Sequence, residues 1–105
     1  MVMNKAVFPS EKEDSLLAEA VATVIKKYRK ERHLSRDQMA FQLSLHKNTL
    51  YGVEVGIKRK SGSFGHTQLT LPNFIRIARF FGQEPGHFLE EVLAETDSSA
   101  RMDEI

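Results

Sequence analysis

The chain alternates apolar and polar positions with a helical period through most of its length. Leu16, Leu17, Ala20, Val21, Val24, Ile25 and Tyr28 fall on one stripe, which is the 3.6-residue pattern of an amphipathic helix. Ser10 followed by Glu13, with Pro9 just before, fits a capping box at its start. The spacing predicts a first helix over about 11–32. Leu34 follows as a buried anchor. Ser35 with Gln38 repeats the capping-box pattern and opens a short second helix, 36–43, with Met39, Ala40 and Leu43 inward. Ser44 and Leu45 make a tight turn. A third helix, 47–55, points Leu50 and Val53 inward, with His46 at its cap and Gly56 as its left-handed stop.

Beyond Gly56, residues 57–69 hold Gly and Ser with a basic front and read as a loop. Thr70 caps a fourth helix, 71–81, whose first turn tolerates Pro72 and whose buried face is Phe74, Ile77, Ala78 and Phe81. Gly82 ends it. A fifth helix, 86–94, carries Phe88, Leu89, Val92 and Leu93. The expected architecture is all-α: a five-helix bundle spanning 10–95, preceded by a flexible arm at 1–9 and followed by a disordered acidic tail at 96–105. No internal repeat is visible.

Composition adds exclusions. With 41% hydrophobic and 28% charged residues the chain matches an ordinary globular domain. No apolar run approaches the roughly 20 residues of a membrane span, and the first residues lack a secretory signal, so a cytoplasmic protein with no membrane partner is expected. The absence of cysteine removes disulfides, thiolate metal sites and cysteine nucleophiles. The four histidines are scattered, without ligand spacing, so no metal and no cofactor is expected. No Ser/His/Asp set, phosphate-binding glycine loop or paired carboxylate appears. Glu90 and Glu91 read as solvent-facing, and an enzyme is not expected.

The net charge of +1 conceals an uneven distribution. Residues 26–60 hold ten lysines and arginines against three acids, +7, while 1–25 carry −2 and 61–105 carry −4. A basic middle between acidic ends suits a face that meets a polyanion. It is equally compatible with a merely solvated lysine-rich surface.

The surface of the third helix shifts that balance. Its outward positions are Lys47, Asn48, Tyr51 and Gly52, none acidic, flanked by Arg36, Lys58, Arg59 and Lys60. Such a helix suits a major groove between two phosphate backbones.

Residues 25–56 and 70–93 resemble the phage repressor/Cro-like, or Xre-like, helix-turn-helix family. The resemblance rests on Arg29, Leu34-Ser35, Met39-Ala40, Leu50, and Glu54 with Gly56. It implies a bacterial or phage-encoded transcriptional regulator, in the main a repressor, that binds double-stranded DNA as a homodimer on a palindromic operator. It implies that Arg36 contacts phosphate, that Lys47, Asn48, Tyr51 and Gly52 approach bases, and that Glu54 is structural and pairs with Arg29. The chain departs from the family at His33 and Ser44, where glycine is frequent, and in the length of 57–69.

The individual side chains leave alternatives. Lys47 suits guanine O6/N7 or a phosphate. Asn48 suits adenine N6/N7 or a plain cap. Tyr51 suits a thymine methyl, a phosphate, or packing on the second helix. His46, Thr49, Lys58, Arg59 and Lys60 join Arg36 as expected phosphate contacts. Phe41 projects from the exposed side of the second helix and either covers the loop or meets a partner. Phe88, Leu89, Val92 and Leu93 are the expected dimer interface. The rival reading is an antitoxin-type module that sequesters a protein partner, with DNA binding secondary.

Overall fold

A computed structural model describes the backbone of residues 11–104 and the side chains of 13–98. It contains five helices and a two-stranded ribbon: α1 (Glu11–Glu31), α2 (Arg36–Leu43), α3 (Lys47–Glu54), β1 (Ile57–Lys58), β2 (Phe64–Gly65), α4 (Leu71–Phe80) and α5 (Pro85–Glu104). The expected arm at 1–9 and the Ser10 cap lie outside the described residues. No helix among the described residues is long and apolar enough to cross a membrane.

Helix α1 is the spine of the bundle. Ala18, Ala20, Val21, Ala22, Val24 and Ile25 are all buried, because α5 and α3 pack on it from different sides. The small alanines let those neighbours approach closely. The core joins these residues to Met39, Ala40, Leu43, Leu50, Val53, Ile77, Ala78, Phe81, Phe88 and Val92.

Its densest part is aromatic. Phe81 stacks on Tyr28 with centroids 5.2 Å apart, and Phe88 lies 5.6 Å from Tyr28 and 5.4 Å from Phe74. Each such pair adds about 0.5–1.5 kcal/mol beyond area burial. Arg32 closes this cluster by donating from Nη2 to the Phe81 carbonyl at 2.6 Å, a cation placed at the negative end of the α4 dipole.

Four helix ends agree with the sequence reading to within one residue; the fifth does not. Helix α5 runs to Glu104, where composition pointed to a disordered tail from 96. After Gly86 there is no glycine or proline to break it, and Ala94, Glu95, Ala100, Arg101 and Met102 all favour helix. Thr96 turns its hydroxyl back to the Val92 carbonyl at 2.9 Å and so does not cap or terminate the helix. The 57–69 segment also departs from expectation. It holds the antiparallel pair β1–β2, with Ile57 opposite Gly65 and Lys58 opposite Phe64.

Among the described residues, two that carry a Cβ take left-handed backbone: His33 (φ 54°) and Ser44 (φ 57°). These are the two positions where the resembled family favours glycine, and the departure costs roughly 1–2 kcal/mol at each. The α1–α2 turn that His33 closes is held by bonds from His33 N to Lys30 O at 3.0 Å and Leu34 N to Arg29 O at 3.2 Å.

Glu91 faces inward, contrary to the solvent-facing reading. It accepts from the Tyr28 hydroxyl and from Lys27 Nζ at 3.1 Å, tying α5 to α1. The Tyr28 hydrogen bond, and secondarily Lys27, hold the Glu91 carboxyl below its usual value of 4.5 despite partial burial. The same bond, then burial, pushes the Tyr28 phenol up to about 12 from 10.0. A carboxyl lowered by folding stabilises fully above about pH 4.5 and ceases to do so as the pH falls through its folded value. A phenol raised by folding stabilises below pH 10 and ceases to do so as the pH climbs toward 12. Tyr28→Phe should therefore flatten the pH dependence of unfolding free energy at both extremes, measured by urea titration. Unchanged slopes at both ends would show that the contact contributes nothing.

Candidate nucleic-acid interface

The segment α2–turn–α3 is built so that one face is locked into the core and the other is free. Ser35 accepts from Gln38 N at 3.0 Å while Gln38 Oε1 accepts from Ser35 N at 2.8 Å, closing the capping box that starts α2. The αL residue Ser44 stops α2, with its N–H directed to the Ala40 and Phe41 carbonyls. Leu45 follows with N–H to Ala40 O at 2.9 Å. His46 then caps α3, its Nδ1 accepting from Asn48 N at 3.1 Å. On the inner face Ala40, Leu50 and Val53 are almost fully buried.

The orientation of α3 is fixed ionically. Glu54 is fully buried and accepts three hydrogen bonds from Arg29: two from Nε, at 3.2 and 2.9 Å, and one from Nη2 at 2.8 Å. Arg29 Nη1 donates to the Leu34 carbonyl at 2.8 Å, so the same guanidinium holds the α1–α2 turn. Arg36 adds a second cation, Nε to Glu54 Oε1 at 3.2 Å. One carboxylate thus joins α1, α2 and α3. The Arg29–Glu54 pairing expected from the resemblance is present; the share taken by Arg36 is a finding of the structure.

The sequence-selected residues separate accordingly. Lys47 and Asn48 are exposed on the first turn of α3. Because His46 supplies the cap, the Asn48 carboxamide is free of that duty, and no hydrogen bond engages it among the described residues. Tyr51 is 47% exposed, with the Arg36 guanidinium 5.3 Å from its ring centroid, so it both rests on α2 and faces out. Arg36 spends Nε on Glu54, while its terminal nitrogens make no hydrogen bond among the described residues. Thr49 is half-buried and His46 exposed. Phe41 is 84% exposed and covers nothing.

Gly52 is not an outward position. It is buried, and a Cβ there would lie 2.4 Å from Thr67 Oγ1 and 3.2 Å from Thr67 Cβ. Its carbonyl accepts from Thr67 N at 2.8 Å. Glycine at 52 lets the strand leaving the ribbon dock on α3, so it faces that strand and not a groove. An added methyl, which helix propensity alone would favour, meets a stiff β-branched neighbour.

The ribbon rises directly from α3. Gly56 (φ 102°) leaves room for the Phe64 ring, which a Cβ would meet at 2.7 Å, and His66 Nδ1 donates to the Val53 carbonyl at 3.0 Å. Lys58, Arg59 and Lys60 are exposed, yet they do not share a direction. The Arg59 guanidinium lies over Gly65 and lines a cleft of about 790 Å³ shared with Asp14, Glu19 and His66. Lys58, which pairs with Phe64 across the ribbon, does not line that cleft, whereas Phe64 does.

The expected dimer residues also divide. Phe88 and Val92 are fully buried in the chain's own core, because the aromatic cluster claims them. Leu89 and Leu93 are 44% and 47% exposed and share the outer face of α5 at i, i+4.

These elements are those of the repressor/Cro-like helix-turn-helix fold, with a β-ribbon following the third helix. Among solved structures the chain is similar to an arginine-to-alanine variant of the restriction-modification controller protein C.Esp1396I, with TM-score 0.61 and 23% identity over 78% of this chain and 97% of that one. A tyrosine-to-phenylalanine variant of the same controller matches with TM-score 0.59 and 26% identity over 78% and 97%. The nucleoprotein complex of C.Esp1396I matches with TM-score 0.57 and 22% identity over 76% and 92%. No protein-family model and no curated protein sequence matches the chain.

Removing one partner of a buried ion pair costs about 3–5 kcal/mol because the other charge is stranded. Glu54→Gln should lower unfolding free energy in urea by that amount, a large share of the roughly 5–15 kcal/mol of a small domain. A loss below about 1 kcal/mol would show that α3 is held by its apolar face alone.

Proposed function

We propose that the protein is a sequence-specific transcriptional regulator, a repressor, that binds a palindromic operator on double-stranded DNA as a homodimer. The observation that carries this reading is the outer face of α3. Lys47, Asn48 and Tyr51 are solvent-facing on a helix whose inner face and buried carboxylate fix its position, so donors are presented on a rigid support. The nucleoprotein complex formed by the similar controller protein supports the same reading.

In this reading the first turn of α3 enters the major groove. Lys47 donates to guanine O6/N7, and the Asn48 carboxamide pairs with adenine N6/N7, each such contact discriminating by about 1–3 kcal/mol. Tyr51, steadied by Arg36, touches a thymine methyl or the adjoining backbone. The free terminal nitrogens of Arg36, with His46, Thr49, Lys58 and Lys60, take phosphates. Arg59 is turned to the cleft and is left out of this set.

Two half-sites one helical turn apart, roughly 34 Å, need two copies of the chain. Leu89 and Leu93 supply a self-complementary apolar strip for a two-fold contact. Replacing both with glutamate should leave a folded monomer by sedimentation. Dimerisation unaffected by the double change would place the interface elsewhere.

Asn48→Ala tests base reading directly. It should weaken binding to the cognate duplex by about 1–3 kcal/mol while leaving non-specific binding nearly unchanged, measured by fluorescence anisotropy at fixed salt. An equal loss on all sequences would make Asn48 a backbone contact, and no loss on any would remove α3 from the interface.

A further inference from the structure

The helix-turn-helix reading gives the ribbon that follows α3 no task beyond the phosphate contacts of Lys58 and Lys60, and leaves the rest of its exposed surface unexplained. Its base is immobilised on α3 by the Thr67–Gly52 and His66–Val53 hydrogen bonds and by Phe64 over Gly56. Its tip turns tightly, with Arg59 N donating to Ser63 O at 2.7 Å and Gly62 N to Arg59 O at 2.9 Å. Residues 57–64 are all exposed. At about 3.3 Å per residue, the four steps from Gly56 give Lys60 a reach of at most about 13 Å from the end of α3.

Charge and shape identify what such an arm meets. No acidic residue occurs from Val55 to Gln83, so nothing on the arm or the strand that leaves it repels a polyanion. The face turned toward α1 holds Arg59 in the cleft with Asp14 and Glu19, which turns the arm's bulkiest cation toward acidic neighbours. Lys58 lies outside that cleft and pairs across the ribbon with Phe64, which borders the cleft and still leaves 64% of its surface exposed. The tip is Lys60 followed by the small residues Ser61, Gly62 and Ser63. Phosphates alone have no use for an exposed phenyl ring. A lysine, a narrow small-residue tip and an apolar ring are what a minor groove about 6 Å wide accepts, with the ring against sugars and base edges.

We propose that the β1–β2 ribbon is a minor-groove arm: with α3 in the major groove, Lys58, Lys60 and Phe64 occupy the neighbouring minor groove and make the protein prefer A·T pairs flanking each half-site. A·T runs narrow that groove and deepen its negative potential, which favours the two lysines. Arg59 acts through the arm's position and touches no DNA. This inference rests on the major-groove reading above.

The test uses the full chain and duplexes enriched from a random pool. The enriched half-sites are rebuilt with A·T flanks, and the flanking adenines are replaced by 2,6-diaminopurine, which adds an amino group to the minor groove and keeps the major-groove edge. The parent should bind the substituted duplex at least about tenfold more weakly, as for a mismatched position. The Lys58→Ser/Lys60→Ser protein, with unchanged helical circular dichroism, should bind both duplexes equally, and its salt slope should flatten by about 0.9 for each lost phosphate contact. Arg59→Ala should keep the parent's slope. A parent indifferent to diaminopurine, or a double variant that still discriminates, would overturn the arm while leaving the major-groove reading intact. If no duplex is enriched, the reading of α3 falls and the arm falls with it.

Discussion

The arrangement depends on one buried carboxylate. Glu54 sits at the end of α3 with no exposed surface and accepts from Arg29 on α1 and Arg36 on α2. Burying an isolated carboxylate is prohibitive, so this side chain is tolerable only when α1, α2 and α3 are all in place around it. That gives the pair a role in specifying geometry: a slightly rotated α3 strands a charge, whereas a slightly rotated apolar contact costs far less. The apolar contacts of Leu50 and Val53 supply the attraction, and Glu54 fixes the angle.

Everything the protein presents outward follows from that angle. With Leu50, Val53 and Glu54 inward, Lys47, Asn48 and Tyr51 must project out. The same rotation turns Gly52 toward the returning strand, where the absence of a side chain admits Thr67. Gly56 performs the equivalent service for Phe64. Helix α3 therefore serves two masters: one side of it carries the proposed contact surface and another seats the ribbon. Arg36 links the two ends of this design, because its Nε is fixed by Glu54 while its guanidinium lies over Tyr51.

The fold was legible because its signals are local. The capping box at Ser35, the cap at Thr70 and the glycines at 56 and 82 punctuate the helices, and the stripe along α1 marks the core. The Arg29–Glu54 pair was legible through family resemblance and not through spacing. Other features were not readable because they are decided by tertiary competition. Phe88 and Leu89 are equally apolar in sequence, and only the aromatic cluster around Tyr28 determines that Phe88 is core and Leu89 surface. Gly52 reads as an open position on a helical wheel until the ribbon occupies the space beside it. The ribbon itself escaped because its strands are two residues each, too short for any alternation to show. Lys58 and Arg59 look interchangeable in sequence, and only the folded ribbon turns Arg59 over Gly65 into the cleft. The length of α5 was hidden by small polar residues that suit a tail but do not forbid a helix.

The central claim is that the outer face of α3, held by Glu54, is the surface that meets DNA. It is tested most directly by mapping amide chemical-shift changes in isotope-labelled protein on titration with an enriched duplex. The account requires the largest changes at Lys47, Asn48 and Tyr51, with Phe88 and Val92 unmoved. Changes centred on the outer face of α4, around Leu71 and Ile75, with α3 silent, would contradict it.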